Sequence, residues 1–250
     1  MEALLGAGIL NGMLRVESPA AASAADFHHR DVPEGDDVLL WWFEPTAPAL
    51  VLGSTQTEEV LDLELCGRRG IEVVKRRSGG GLVLVSARHT LWADVIVPSG
   101  HPAWRLDVGR ASEWIGEVWM DALSRSPVGD DPGSLWIHRG AHEASTWSKV
   151  VCFAGRGPGE VFDARGRKVL GVSQRRTRDW VRFQCALSLR WEPSLFVDLI
   201  RHGPTASAIE SAGFDVGDDF DPGRMRRAFA ESLSDALIRA TTDVGGASDV

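Results

Sequence analysis

Ile71-Glu72-Val73-Val74-Lys75-Arg76-Arg77-Ser78-Gly79-Gly80-Gly81 is the stretch on which the reading of this chain turns. A β-type segment feeds three basic residues, a hydroxyl and three glycines, and a second apolar segment, Leu82 to Val85, follows at once. Glycine has no Cβ, so backbone at these positions can approach a ligand closely. Successive exposed N–H groups form concavities that bind anions, and guanidinium groups fork onto carboxylate or phosphate. The run suits an anionic ligand such as a nucleotide or an acyl phosphate. Its plainer reading is a tight turn between two strands.

Working outward, Val38–Phe43 is a continuous apolar run ending before Pro45 and reads as a buried strand, as does Ala49–Gly53. Residues 58–69 read as one helix, stopped by Arg68-Arg69-Gly70. Thr90–Val97 reads as a strand closed by Pro98. Helical spacing of Val108, Ala111, Ile115, Val118, Trp119 and Ala122 predicts an amphipathic helix over 107–124, with a loop over 127–134. Asp163–Gly166 reads as a hairpin turn, and strands 167–176 and 180–191 are expected to pair. Asp221-Pro222 supplies an N-cap and a proline at the first helical position of a last helix. Residues 3–14 read as a first helix, with Leu4, Leu5, Gly8, Ile9 and Gly12 near one face, and Pro19–Ala25 as a loop or short helix. The class is α+β, a mixed β-sheet flanked by helices.

With 250 residues and 44% hydrophobic content, the chain can bury a substantial core. No run approaches 18 consecutive apolar residues, and no basic leader precedes an apolar stretch, so neither a membrane span nor a signal peptide is expected. Three cysteines without a CxxC argue for a reducing cytoplasm and against a disulfide framework or zinc site. A net charge of −8 argues against general nucleic-acid binding. None of the seven histidines, read as surface or loop residues, makes a metal-ligand pattern. Of 27 basic residues only Lys75, Lys149 and Lys168 are lysines, and two of them fall in motif-like blocks, where a compact ammonium differs from a planar fork.

Four blocks, in order, carry a resemblance. Lys75–Gly81 resembles the R-R-x-S-G-G-G/R signature of the lipoate–protein ligase and octanoyltransferase superfamily, which shares its catalytic fold with biotin–protein ligases. Gly166–Arg175 resembles that superfamily's G-x-K-hydrophobic-x-G-x-[AS]-Q-x-R strand, Leu50–Gln56 its early strand ending in G-x-x-Q, and Val151-Cys152-Phe153 with Gly159-Glu160-Val161 its segment before the lysine hairpin. Three positions depart: Lys75 stands for the first arginine, Leu84-Val85-Ser86 for an aromatic-His-Asp element, and Gln184-Cys185 for a His-Gly pair.

The resemblance implies a biotin/lipoate-ligase-like catalytic domain over residues 1–192, including the N-terminal helix, and a short helical extension over 193–250 packed on it. It implies attachment of lipoyl or octanoyl groups to a lysine of a lipoyl carrier domain through an acyl-adenylate, with ATP and Mg²⁺. Lys168 would be catalytic, and Arg76, Ser78, Gly79, Gly80, Gly81, Gly171 and Gln174 would bind the ligand. The alternatives are an octanoyltransferase using a Cys152 thioester, with no cofactor, and a non-catalytic acyl- or nucleotide-binding member. For Cys152 the plainer reading is a small core filler, and for Trp92, Trp180 and Trp191 it is core rather than the lining of an acyl tunnel.

Overall fold

The computed structural model describes residues 8–10, 12–128 and 135–245. Its strands form two sheets. The larger has the order β1 (Gly8–Leu10), β2 (Leu14–Glu17), β3 (Val38–Phe43), β7 (Thr90–Pro98), β11 (Trp180–Ser188), β10 (Lys168–Arg176), β9 (Val161–Phe162), β8 (Trp136–Ile137). The smaller has β4 (Ala49–Leu52) in the middle, parallel to β5 (Glu72–Lys75) and antiparallel to β6 (Val83–Val85).

Period-two alternation sorts the central strands between two faces of the larger sheet. Leu91, Ala93, Val95 and Val97 of β7, with Val181, Phe183, Cys185 and Leu187 of β11, meet two helices, α3 (Val108–Arg125) and α4 (Pro222–Gly245). There Trp119 and Phe229 stack at 4.0 Å between ring centroids. Trp92 and Ile96 point the other way, into a core shared with Ala49, Val51, Val74 and Val85 of the smaller sheet and Phe27 of α1 (Ala24–His29). The outer side of the smaller sheet is covered by α2 (Leu63–Arg68) and by Phe196, Leu199, Ile200 and Ile209 from the 3-10 turns of 193–209. The layers are therefore helices, large sheet, small sheet and turns, and both ends of segment 193–245 belong to cores that the sheets build.

Two sequence expectations are corrected. Gly8–Leu10 is a strand, hairpinned onto β2 by a turn in which Gly12 has φ +69, and not part of a helix over 3–14; residues 3–7 and 11 of that expectation lie outside the described residues. Residues 58–69 are not one helix but a 3-10 turn (Glu58–Val60) and α2. Leu61 and Asp62 interrupt the helix because they pair with Ile200 and Leu199 of the 193–209 cover, and the Asp62 carboxylate then caps α2 at the Leu65 N–H. Most of the 127–134 loop lies outside the described residues. Among the described residues no helix is long and apolar enough to cross a membrane.

Candidate active site

Between the two sheets lies a narrow cavity that opens to solvent. Its floor is the larger sheet, where Gly171 and Ser173 of β10, Gln184 and Ala186 of β11 and Trp92 of β7 share one face. Its roof is Val83 and Val85 of β6, Arg76 at the start of the glycine-rich connection, and the Cys152-Phe153 segment. Small floor residues leave the space open, since large side chains at 171, 173 and 186 would fill it.

The glycine-rich connection is built from within. Arg76 is buried, and its Nη2 donates to the carbonyls of Gly79 (2.8 Å) and Gly81 (3.0 Å). Ser54 N–H donates to Ser78 O at 2.9 Å. With the carbonyls tied down this way, none of the described hydrogen bonds is donated by the amides of Gly79, Gly80 or Gly81. Gly80 has φ +102, a region that side-chain-bearing residues rarely adopt. Gln56 clamps the roof: its Oε1 accepts from Gly53 N–H (2.9 Å), and its Nε2 donates to the carbonyls of Lys149 and Val150. Leu82 in turn bonds Val150 and Cys152, which sets Cys152 beside the glycines.

Cys152 is half-buried, lines the cavity, and its Sγ stands 3.9 Å from Arg76 Nη2. Lys168 is only 1% exposed. Its Nζ lies 2.7 Å from Glu160 Oε2 and donates to Cys152 O at 2.8 Å, with the Phe153 and Phe162 rings on either side. A bulge between Lys168 and Leu170 offsets the alternation of β10. Leu170 faces the helices, yet the Lys168 stem lies on the cavity side, its Cδ 3.8 Å from where a Gly171 Cβ would stand.

Of the residues singled out in the sequence, Arg76, Ser78, Gly80, Gly171, Cys152 and Lys168 converge on this cavity wall. Gln174 does not: its amide donates to Val108 O and Ser112 Oγ, each at 2.7 Å, and ties β10 to the start of α3 on the opposite face. The cavity-side residue is its neighbour Ser173, whose Oγ lies 3.1 Å from Ser78 Oγ. Cys185 is 0% exposed in the helix-side core, where burial pushes its thiol far up, so it is no nucleophile. Trp92 reaches the cavity; Trp191 instead stacks on Phe153, and Trp180 lies under the Arg175 guanidinium.

Two residues that sequence reasoning passed over belong to the site. Arg175 faces the cavity side of β10, and its pKa is lowered, first by burial and then by Arg77 and Arg182, so several cations share one wall. His28, expected at the surface, is buried against Trp92 and lines the cavity. His89 and His138 are also buried rather than exposed; His89 links Ser86 Oγ (2.6 Å) to Glu192 (3.0 Å). No sequence signal marks His28, because α1 is too short to show a period.

The His28 pKa is pushed down to about 3, chiefly by burial, with Arg76, Arg182 and His29 adding in that order. A histidine in the unfolded chain titrates near ~6.5. The folded value lies below, so the neutral ring's contribution to stability is complete above that pH and is lost as pH falls from about 6.5 towards 3. The melting temperature is therefore expected to drop more between pH 7.5 and 5.5 for the wild type than for His28→Phe. Equal drops would mean that His28 takes up its proton without cost.

No cluster of His, Cys, Asp or Glu able to hold a metal ion occurs among the described residues.

Residues 19–216 match the family model described as the lipoyl protein ligase A/B catalytic domain, and the chain belongs to that family. Among solved structures it is similar to a bi-partite lipoate protein ligase from Thermoplasma acidophilum, studied with its E2 lipoyl domain (TM-score 0.64, 15% identity, 90% of this chain and 83% of that one). A Thermoplasma acidophilum structure with bound lipoic acid also matches (TM-score 0.64, 15% identity, 85% and 78%). So does a lipoate-protein ligase A bound with ATP (TM-score 0.63, 17% identity, 91% and 86%). Comparison with curated proteins gave no match.

Proposed function

We propose that the chain is a lipoate–protein ligase-like enzyme that activates a lipoyl or octanoyl carboxyl group as an adenylate and passes it to a lysine of a lipoyl carrier domain. The observation that carries this reading is the neighbourhood of Arg76: it lines a largely apolar cavity and holds the glycine-rich connection, whose exposed Gly79 and Gly80 donate none of the described amide hydrogen bonds. An acyl-adenylate has that division, an anionic phosphate joined to an apolar chain. The chain would lie over Gly171, Ala186 and Trp92, and the phosphate would accept from the glycine amides within the field of Arg76, Arg77 and Arg175. Attack by the target lysine forms the amide bond, breaks the mixed anhydride and releases AMP. Lys168, whose stem packs against Gly171, would meet the reacting carbonyl by exchanging Glu160 for a ligand oxygen, which keeps its charge compensated in both states. Similar folds with bound lipoic acid and with bound ATP support the same two halves of the ligand.

A second reading rests on Cys152, whose Sγ lines the same cavity beside the Arg76 guanidinium. There the thiolate takes an octanoyl group from a carrier thioester, releasing the carrier thiol, and the target lysine then displaces Cys152.

Pyrophosphate release measured with lipoate, octanoate and biotin, with and without ATP, separates the two. The ligase reading expects ATP-dependent release with lipoate or octanoate, and Cys152→Ser within about threefold of wild type, because the thiol only packs there. An acyl adduct on the protein, seen by intact mass and lost in Cys152→Ser, together with transfer that needs no ATP, would replace it with the thioester route. Absence of product from either donor would leave acyl binding without turnover.

A further inference from the structure

Gln174 and Arg176 have no part in the cavity, because strand alternation turns both to the helix side of β10. They share another task. Gln174 Nε2 donates to Val108 O at 2.7 Å. Arg176 Nη1 donates to Arg105 O at 2.7 Å and, with poorer geometry, to Leu106 O at 3.4 Å. The Arg176 guanidinium also lies 4.6 Å from the centre of the half-buried Trp104 ring. Two side chains of one strand thus pin the backbone of 105–108. The Asp107 carboxylate pins the same turn by capping α3, accepting from Arg110 N–H at 2.7 Å.

What this fixed turn displays is apolar. Leu106 is 87% exposed and Val108 54%, the two most exposed large apolar side chains among the described residues. One exposed leucine is ordinary. Two exposed apolar neighbours on a backbone already held in place are ordered before any partner arrives, which lowers the entropy cost of contact.

Charge marks the kind of partner. The chain as a whole carries −8, yet over 104–110 and 172–178 stand five arginines and one carboxylate, Asp107, which is engaged as the cap. Among the described residues Arg105, Arg110, Arg175 and Arg176 take part in no ion pair, and Arg178 meets only Asp179 beside it. Apolar centre and arginine surround are the composition of a protein-binding surface rather than of a solvated face.

Position selects among acidic partners. Arg175 stands on the cavity face of β10, two residues or about 7 Å from Ser173. From Ser173 back to Lys168 the strand runs about 17 Å. A domain of ~100 residues has a radius of gyration of about 13 Å, so one seated on this surface overhangs the cavity.

We infer that the Trp104–Val108 turn, with Arg105, Arg110, Arg175 and Arg176 around it, is the docking surface for the acceptor domain, and that it takes an acidic face of that domain with an apolar contact for Leu106 and Val108 at its centre. The inference rests on the acyl-transfer reading above and adds where the acceptor sits.

The test separates the two halves of the reaction in the full chain. Adenylate formation is read as pyrophosphate release from ATP and lipoate without acceptor. Transfer is read at varied concentrations of a folded, unmodified lipoyl domain. Leu106→Asp and Arg110→Glu are expected to leave adenylate formation within about twofold of wild type and to raise KM for the domain by about tenfold or more each. Added salt should raise the wild-type KM more than that of Arg110→Glu, since exposed charges are screened. Normal adenylate formation with an unchanged KM in both variants would overturn the docking surface and leave the ligase reading standing. A wild-type dimer that Leu106→Asp turns into a monomer would give the face to a second copy and overturn it too. A wild type that forms no adenylate would overturn the ligase reading. Titration of the lipoyl domain into the chain then decides the surface by itself: binding weakened about tenfold by Leu106→Asp keeps it, and equal or absent binding removes it.

Discussion

Lys168→Ala is expected to abolish acyl transfer and, at the same time, to destabilise the fold by about 3–5 kcal/mol. The activity loss follows from its place beside Cys152 and the cavity floor; the stability loss follows from Glu160. That carboxylate is buried, with Lys168 Nζ at 2.7 Å and the Gly157 N–H at 2.7 Å, and removing the ammonium leaves its charge without compensation. Activity alone therefore does not separate the two effects, but a double variant does. Lys168→Met with Glu160→Leu replaces the pair by apolar groups of similar size, which is often neutral for stability. It should melt near the wild type, by thermal denaturation, and remain inactive. A stable double variant that still transfers the acyl group would remove Lys168 from the chemistry. Lys168→Arg should also fail, because a planar fork does not fit where one ammonium meets a carboxylate and a carbonyl between two rings.

Gly53→Ala carries the second largest effect. A Cβ on residue 53 would stand 1.8 Å from Gly80 O and 2.9 Å from Gly80 C, both backbone atoms. The glycine-rich connection cannot yield locally, since Ser54 N–H holds Ser78 O and the Arg76 guanidinium holds the carbonyls of Gly79 and Gly81. The variant is expected to lose about 1–3 kcal/mol to overpacking. Its adenylate-forming rate should fall on the order of a hundredfold, the scale of a catalytic wall displaced by about an ångström. Gly67→Ala, in α2 with nothing within 4 Å of its Cβ, serves as the comparison and should keep its rate. If Gly53→Ala forms adenylate as fast as Gly67→Ala, the glycine-rich connection is only a turn.

Much of this was legible in the sequence where local chemistry and tertiary role agree. β3 is a continuous apolar run and β7 is apolar but for Thr90 and the Asp94 that pairs with Arg182, because both faces are covered, one by α3 and α4, the other by the smaller sheet and α1. The stripe of α3 is its buried face, and the Asp107 carboxylate accepts from Arg110 N–H at the predicted start of that helix. Where signals were short, they misled. Residues 3–14 carry apolar groups at helical spacing, but pairing with β2 makes Gly8–Leu10 a strand. Gln174 was assigned to the ligand on its motif position. A strand puts neighbours on opposite faces, and here the cavity receives Ser173 while Gln174 holds α3.

The sheet-and-helix composition, the basic glycine-rich connection and the lysine hairpin are readable along the chain, because each depends on residues close together in it: propensity, turn chemistry and the freedom of glycine. Which side chains meet is settled by the packing of the layers. It brought Lys168 to Glu160 and to the Cys152 carbonyl, let Arg76 fold back onto its own glycines, and carried Cys185 into the helix-side core although its neighbours Gln184 and Ala186 face the cavity. It also buried His28, 156 residues from the Gln184 that orients it. Those outcomes depend on strand register, on one bulge in β10 and on which layer covers which face, and none of these is written within reach of the residues concerned.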